Sequence, residues 1–447
     1  MSRISEGGVG IIVPGCFDMN KGDQALVWET IETVKAARIV NELAVVGSAE
    51  RNKGCEYETR QLGHTVLPNL LGHPRRGRHR PEDRVKEGHL SLALMIANAL
   101  VDLLRGQLLL LAAPFPRIAR LLLDARQRET YDAFLRARVV IVKGGGFIHA
   151  YGGLTAPYLM WYQLFYIKLA HRLRKPVLVL PNSFGPFLGL GVKRQVKKAL
   201  GSCAFVCARE SVSAKALSEL LGREVPMFPD LGYFLRAADD EIGLEICRRH
   251  RVPVGHKRCV GFTVRPYRFP GSRDAARLYD RYLEALAALV KHVESLGFHP
   301  VFVTQVRGPS AHENDSLAIC DLTKRLNGIE YSWVDYQGTC RELKAVYGRM
   351  DYLVGTRFHS VVFAQGLGIP SMAIAYGGNK ANGIMGDMGL ADYVVPIDKV
   401  TEEQLCNMFD SLIEKSDEIR RKLADWLAKA RTERDRLVET LQRAVAS

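Results

Sequence analysis

An arginine and a histidine stand two residues apart in Gly-Thr-Arg-Phe-His-Ser, residues 355–360. The apolar run Met350 to Val354 before them reads as a buried strand, and Val361 to Leu367 after them reads as a helix. Open α/β sheets bind ligands at their strand ends, so Arg357 and His359 are expected at the mouth of one. Arginine grips carboxylate or phosphate with a planar fork of donors. Histidine moves protons near neutral pH. The pair points to acid–base chemistry on an anionic substrate, with His359 and Arg357 as the catalytic candidates. A surface arginine beside a helix-capping histidine fits the same spacing.

Other cations fall after strand-like runs. Arg209 follows 205–207, Arg265 follows Cys259–Val264, Lys380 follows Met372–Ala375 and Lys143 follows 139–142. Such a cluster repels itself unless it holds an anion, which makes Arg209, Arg357, Lys380 and Arg265 donor-binding candidates. A second set suits an acceptor or a close backbone approach. In Asn-Lys-Gly-Asp-Gln-Ala-Leu, residues 20–26, Gly22 admits a neighbour and Asp23 is a natural helix N-cap. Gly144, Gly145 and Gly146 follow Lys143 in a pattern that is neither G-x-G-x-x-G nor a P-loop. Asn182 and Ser183 would donate hydrogen bonds to sugar or phosphate. Asp230 would bind an acceptor hydroxyl or orient Arg209. Capped turns, a tight glycine turn and salt-bridged arginines are the structural alternatives.

Strand-like and helix-like patterns alternate almost throughout, which argues for α/β architecture with largely parallel sheets. Strands are expected at Val9–Pro14, Leu43–Gly47, Val139–Val142, Val177–Leu180, Phe205–Cys207 and Pro226–Phe228. A second series follows at Cys259–Val264, Val301–Thr304, Tyr331–Val334, Tyr352–Gly355, Met372–Ala375 and Tyr393–Pro396. Residues 49–88 read as a long polar excursion, 89–136 as helices and 236–257 as a linker. The expected organisation is an N-terminal Rossmann-like domain over 1–240, carrying a basic and apolar helical excursion at about 72–136. A C-terminal one covers 256–400, and residues 401–447 form a helical segment. The two domains face each other across a cleft that holds the site.

The composition, 47% apolar and 25% charged over 447 residues, is that of a globular protein. A net charge of +14 calls for an anionic partner. No zinc-finger spacing or aromatic-basic motif points to nucleic acid. Nine cysteines, an odd number without C-x-x-C spacing, suggest reduced thiols in the cytoplasm and no metal site. The N-terminus lacks the apolar core of a signal peptide. Arg75, Arg76, Arg78 and Arg80 form a basic cluster, and an apolar region runs from Leu90 to Pro116. Asp102 and Arg105 divide that region into runs short of the roughly 20 residues a spanning helix needs. It reads as core helices or as a helix lying on an anionic inner membrane face, next to the basic cluster.

The ordered set NKGDQAL (20–26), KGGGF (143–147), NSFGPF (182–187), ARESVS (208–213), PDLGYFL (229–235), TRFHSVVFAQGLGIPSMAIAY (356–376) and NKANGIMGDMGL (379–390) resembles the polysaccharide pyruvyl transferase family. The resemblance implies a GT-B-like fold and transfer of pyruvyl from phosphoenolpyruvate to a pair of sugar hydroxyls, giving a pyruvate ketal. It implies that Arg209 and Arg357 hold the donor's phosphate and carboxylate, that His359 is the general acid/base and that Lys380 touches the donor. Phosphoenolpyruvate is then a co-substrate, no cofactor or metal is needed, and the acceptor sugar is nucleotide-linked, lipid-linked or polymeric. Asn182 and Phe184 stand where the family pattern leads to Gln and Ile, and the insertion at 72–116 is long and basic. A GT-B glycosyltransferase using a nucleotide sugar and a non-catalytic glycan-binding member are the alternative readings.

Overall fold

The computed structural model describes residues 8–49, 55–74, 89–308 and 313–446. Strands buried on both faces of a parallel sheet carry near-continuous apolar runs, as Val9–Val13 and Ala137–Val142 do. The first sheet contains β1 (Val9–Val13), β2 (Glu42–Val46), β3 (Thr65–Leu67), β4 (Ala137–Val142), β5 (Gly145–Tyr151), β6 (Val177–Leu188) and β7 (Phe205–Ala208). Its order is β3-β2-β1-β4-β6-β5, with β7 also on β6. The second contains β8 (Cys259–Thr263), β9 (His299–Val303), β10 (Ser332–Val334), β11 (Tyr352–Gly355), β12 (Ser371–Ala375) and β13 (Val394–Pro396), in the order β10-β9-β8-β11-β12-β13. Both sheets reverse direction beside their first strand, between β1 and β4 and between β8 and β11. Ligands sit in such crevices.

Helices α1 (Lys21–Ala37), α2 (Tyr57–Gln61), α3 (His89–Ala112), α4 (Pro116–Leu121), α5 (Ala125–Arg136), α6 (Ala156–Gln163), α7 (Phe165–Arg172), α8 (Val192–Gly201) and α9 (Ser211–Leu221) accompany the first sheet. Helix α10 (Asp240–Arg249) leads to the second, with α11 (Ala275–Ser295), α12 (Asp315–Thr323), α13 (Cys340–Tyr347), α14 (Phe358–Gln365), α15 (Lys380–Asp387), α16 (Glu402–Glu414) and α17 (Ser416–Ala446). The chain then returns to the first half. On α17, Arg434 pairs with Glu29 of α1 at 3.4 Å, and the Trp426 ring lies 4.6 Å from that of Tyr233. Two further ties cross between the halves. Gln24 accepts the Cys340 N–H at 2.6 Å, and Ser211 donates to Asp387 at 2.5 Å.

Several sequence expectations change. Gly145 and Gly146 do not form a turn but open the edge strand β5. Strand β6 continues through Pro181 and Pro186 to Leu188, with register shifts in its pairings to β5 and β7. Irregularities of this kind are where a sheet tolerates proline. Residues 226–228 make only an isolated bridge, Met227 to Ala208. The excursion at 49–88 carries α2 and β3. The expected linker at 236–257 carries α10, which buries Ile246 and Cys247.

Helix α3 is not a core helix. Within it, Ala93–Ala112 is 20 residues long with mean hydropathy 1.6, apolar enough to cross a membrane by length and composition despite two charges, and only 22% of it is buried. Arg75, Arg76, Arg78 and Arg80 lie outside the described residues.

Candidate active site

Four strand ends at the reversal points deliver part of the candidate set. The connection after β1 leads to Asn20, Gly22 and Asp23; that after β4 carries Lys143 and Gly144 into β5, which opens with Gly145 and Gly146; β8 leads to Arg265 and β11 to Arg357 and His359, while the ends of β7 and β12 lead to Arg209 and Lys380. Strands β1, β4, β8 and β11 flank the two reversal points, so the folding of each sheet alone brings their residues to the shared cleft.

His359 sits in the first turn of α14, whose N-cap is Arg357. The capping-histidine alternative falls, because His359 stands inside the helix, past its N-cap Arg357. The imidazole is largely buried, with 17% of the side chain exposed. Its Nε2 is buried, has no hydrogen-bond partner among the described residues and lies 3.9 Å from Asp230 Oδ2. Burial pushes the imidazole pKa down to about 3; Asp230 opposes this, and Arg209, Lys380 and Lys143 add to it. Burial therefore favours the neutral imidazole of His359 in the free protein.

Arg209 is held on three sides. Its Nε donates to Ser183 Oγ at 2.8 Å, and one terminal nitrogen donates to Asp230. The other nitrogen occupies space that only glycine leaves: a Cβ on Gly146 would stand 2.7 Å from it. Asp230 is fully buried and also accepts the Gly232 N–H at 2.7 Å. It orients Arg209 and faces His359; no surface remains for an acceptor hydroxyl. Lys143 likewise pairs with Asp23. Asp23 is not the cap of α1. Asn20 is, accepting from the N–H groups of Gly22 and Asp23, which leaves Asp23 free to face Lys143.

The cations do not wait for an outside anion, because the chain supplies its own. Arg357 donates through Nε to Asp315 at 2.8 Å, and through its terminal nitrogens to Glu313 Oε2 at 2.9 Å and the Glu313 carbonyl at 3.1 Å. Glu313 also pairs with Arg265 at 2.8 Å. The Arg357 fork is thus held by the chain's own carboxylates and is 4% exposed, while still bordering the inner chamber. Sequence reading missed Glu313 and Asp315, which approach from a segment more than 40 residues upstream.

Lys380 stands apart. Among the described residues it forms no ion pair with a carboxylate; its ammonium lies 4.9 Å above the Tyr376 ring. The Arg265 guanidinium lies 4.0 Å from the same ring. Burial raises the Tyr376 phenol, but Arg265, Lys380 and Arg357 outweigh it and bring the pKa down to about 7. Tyr376 is a second candidate proton carrier that sequence reading passed over, although its motif was in view.

These groups line two adjoining chambers. The inner one, about 200 Å³, is bounded by Asp23, Gly145, Gly146, Arg209, Arg357 and His359, among others. The outer one, about 690 Å³, is bounded by His149, Tyr151, Ser183, Arg265 and Tyr267, among others. Gly146, Tyr376 and Lys380 belong to both. Three expected contacts lie elsewhere. Gly144 packs near Leu26 and Leu231. Asn182 is fully buried, donating to the carbonyls of Lys143 and Leu180. Gly22 abuts the His359 ring.

Comparison with known structures places the fold. The S. aureus MnaA–UDP co-structure superposes with a TM-score of 0.54 at 11% identity, covering 93% of this chain and 90% of that one. The kitacinnamycin glycotransferase gives 0.53 at 12%, covering 98% and 99%. An α,α-trehalose-phosphate synthase (UDP-forming) from Burkholderia vietnamiensis gives 0.51 at 11%, covering 99% and 98%. At these identities the likeness speaks for the GT-B fold alone. The family model for polysaccharide pyruvyl transferases matches residues 20–378, a span that contains Asp23, Arg209, Arg357, His359 and Tyr376 of the inner chamber. The chain is a member of the polysaccharide pyruvyl transferase family, a family of transferases in polysaccharide biosynthesis.

Proposed function

We propose that the protein transfers the pyruvyl unit of phosphoenolpyruvate to two hydroxyls of a sugar, forming a cyclic ketal and releasing phosphate. The observation that carries this reading is a largely buried, neutral His359 in a small chamber that shares Lys380 with a sugar-sized one. Phosphoenolpyruvate is compact and multiply anionic, and the inner chamber offers Arg209 and Lys380 to it. Its negative charge would offset the cations around His359 and favour the imidazolium.

Protonation of C3 by that imidazolium forms a C–H bond from the C2=C3 π electrons of the enol phosphate and leaves positive charge at C2. A sugar hydroxyl adds to C2 and its proton returns to His359 or passes to Tyr376. The second hydroxyl then displaces phosphate, which leaves with its bonding electron pair toward Lys380 and Arg209 and takes up that hydroxyl's proton. The balance is phosphoenolpyruvate plus diol to ketal plus inorganic phosphate. General acid–base catalysis of this kind contributes roughly 10²–10⁴-fold, and preorganised cations stabilise the leaving charge. The scheme calls for no metal or organic cofactor and no nucleic acid, and it belongs in the cytoplasm with its donor.

Titration calorimetry of the protein with phosphoenolpyruvate and with UDP-sugars tests the donor. Saturable binding of phosphoenolpyruvate and none of UDP-sugars is expected. The reverse would make the protein a nucleotide-sugar enzyme.

A further inference from the structure

Helix α3 presents two different faces. Its inner face is fastened to the domain. Arg105 donates to the Leu122 carbonyl at 2.9 Å and to Gln127 at 2.6 Å, and Arg172 of α7 donates to the Leu110 carbonyl at 2.8 Å. A Cβ on Gly106 would stand 2.6 Å from the Trp161 ring, so α3 lies close against α6. These ties hold α3 along the domain and leave it no freedom to cross a bilayer. The outer face carries Leu100, Leu104, Leu108 and Leu111, each more than half exposed, and the ridge continues through Phe115 and Ile118 to Leu121, 81% exposed. Spacing of three and four residues puts these side chains on one stripe. Water-facing stripes of this size mark an interaction surface.

The groove on one side of the ridge is lined by cations. That groove, of about 990 Å³, runs between α3, α6, α7 and α8, with Leu103, Leu111, Leu154 and Trp161 in its apolar wall. Its charged lining is Lys168, Arg172, Arg194 and Lys198, with His171 and, among the described residues, no carboxylate. The exposed side of α8 adds Lys193 and Lys197. Burial and Lys198 lower the Lys168 pKa to about 8; a neighbouring anion would restore its proton.

We propose that this face, the leucine ridge of α3 and α4 with the cationic side of α8, seats the protein on a bilayer of anionic phospholipid. A stripe of leucines enters the acyl boundary while flanking lysines and arginines meet the phosphates, the arrangement of an interfacial helix. A protein partner would have to be both apolar and acidic; an anionic membrane is both by construction. The proposal goes beyond the transfer reaction and does not depend on it.

The test is co-sedimentation of the full chain with vesicles of equal parts phosphatidylglycerol and phosphatidylcholine, and with phosphatidylcholine alone, at low and high salt. Binding is expected to the mixed vesicles, weakened by salt. The double substitution Leu104→Glu/Leu108→Glu should lower it at least ~10-fold, since burying one leucine is worth that factor. Lys193→Glu/Lys197→Glu should lower it and flatten its salt dependence. All four positions are exposed, and unchanged melting temperatures would show that folding is intact. Equal binding to both vesicle types, or full binding by the leucine variant, would overturn the proposal. So would a concentration-dependent dimer that Leu104→Glu dissociates in the absence of vesicle binding, which would assign the ridge to a second copy of the chain.

Discussion

Gly22 and His359 come from opposite sides of the cleft and touch. A Cβ on Gly22 would lie 2.5 Å from His359 Nδ1 and 2.6 Å from its Cγ, closer than real Cβ contacts come. The glycine of the first connection therefore sets the position of the imidazole in the second domain. Gly22→Ala should displace the ring and remove most turnover, while α1 gains from alanine's better helix propensity. Steady-state kinetics alongside thermal unfolding checks this: lost activity with a somewhat lowered melting temperature is expected, because the clash reaches the His359 Cβ and such overpacking costs about 1–3 kcal/mol against the ~1 kcal/mol that alanine offers the helix.

His359→Asn removes the proton carrier and keeps a polar side chain of similar reach. Turnover should fall roughly 10²–10⁴-fold with donor affinity retained. Rate assays paired with calorimetry make the measurement. A fully active variant would remove His359 from the chemistry.

Lys380 and Arg357 should separate binding from stability. Lys380 touches both chambers and forms no ion pair with a carboxylate among the described residues, so Lys380→Ala should weaken phosphoenolpyruvate binding and leave melting nearly unchanged. Arg357→Ala leaves Asp315 buried and unpaired. Breaking a buried pair from one side costs about 3–5 kcal/mol, so this variant should unfold at markedly lower denaturant.

Tyr376 should titrate near neutrality. Its phenol in the folded protein sits at about 7, against about 10 in the unfolded chain. The depressed value means that the folded state releases this proton first. The resulting stabilisation is fully present above pH 10 and is lost as pH falls through about 7. Ultraviolet difference spectra should show one phenolate appearing near pH 7 that Tyr376→Phe lacks. The stability gap between the two proteins should widen from pH 7 to 10.

Much of this was legible in the residues. The apolar runs at 139–142 and 352–355 are strands because both faces of a parallel sheet are buried, and their short continuous apolar runs mark them. Arg209, His359 and Lys380 follow strand ends and meet in one chamber. The pairing of Arg357 with Glu313 and Asp315 was not legible, because charge partners far apart in sequence leave no local pattern. Glycines hid β5, since Gly145 and Gly146 read as a turn, and prolines hid the second half of β6. The exposure of the α3 leucines was equally hidden: an apolar stripe has the same spacing whether it faces a core or a membrane.

The most direct test follows the donor's carbon. The protein is incubated with phosphoenolpyruvate labelled with carbon-13 in its three carbons and with a panel of sugar acceptors, and product and free phosphate are measured together. Pyruvyl transfer predicts that all three labelled carbons appear in a ketal on the acceptor, with one phosphate released for each ketal and neither formed by His359→Asn. Phosphate release with the label left in free pyruvate, or glycosyl transfer from a nucleotide sugar by the same preparation, would contradict it.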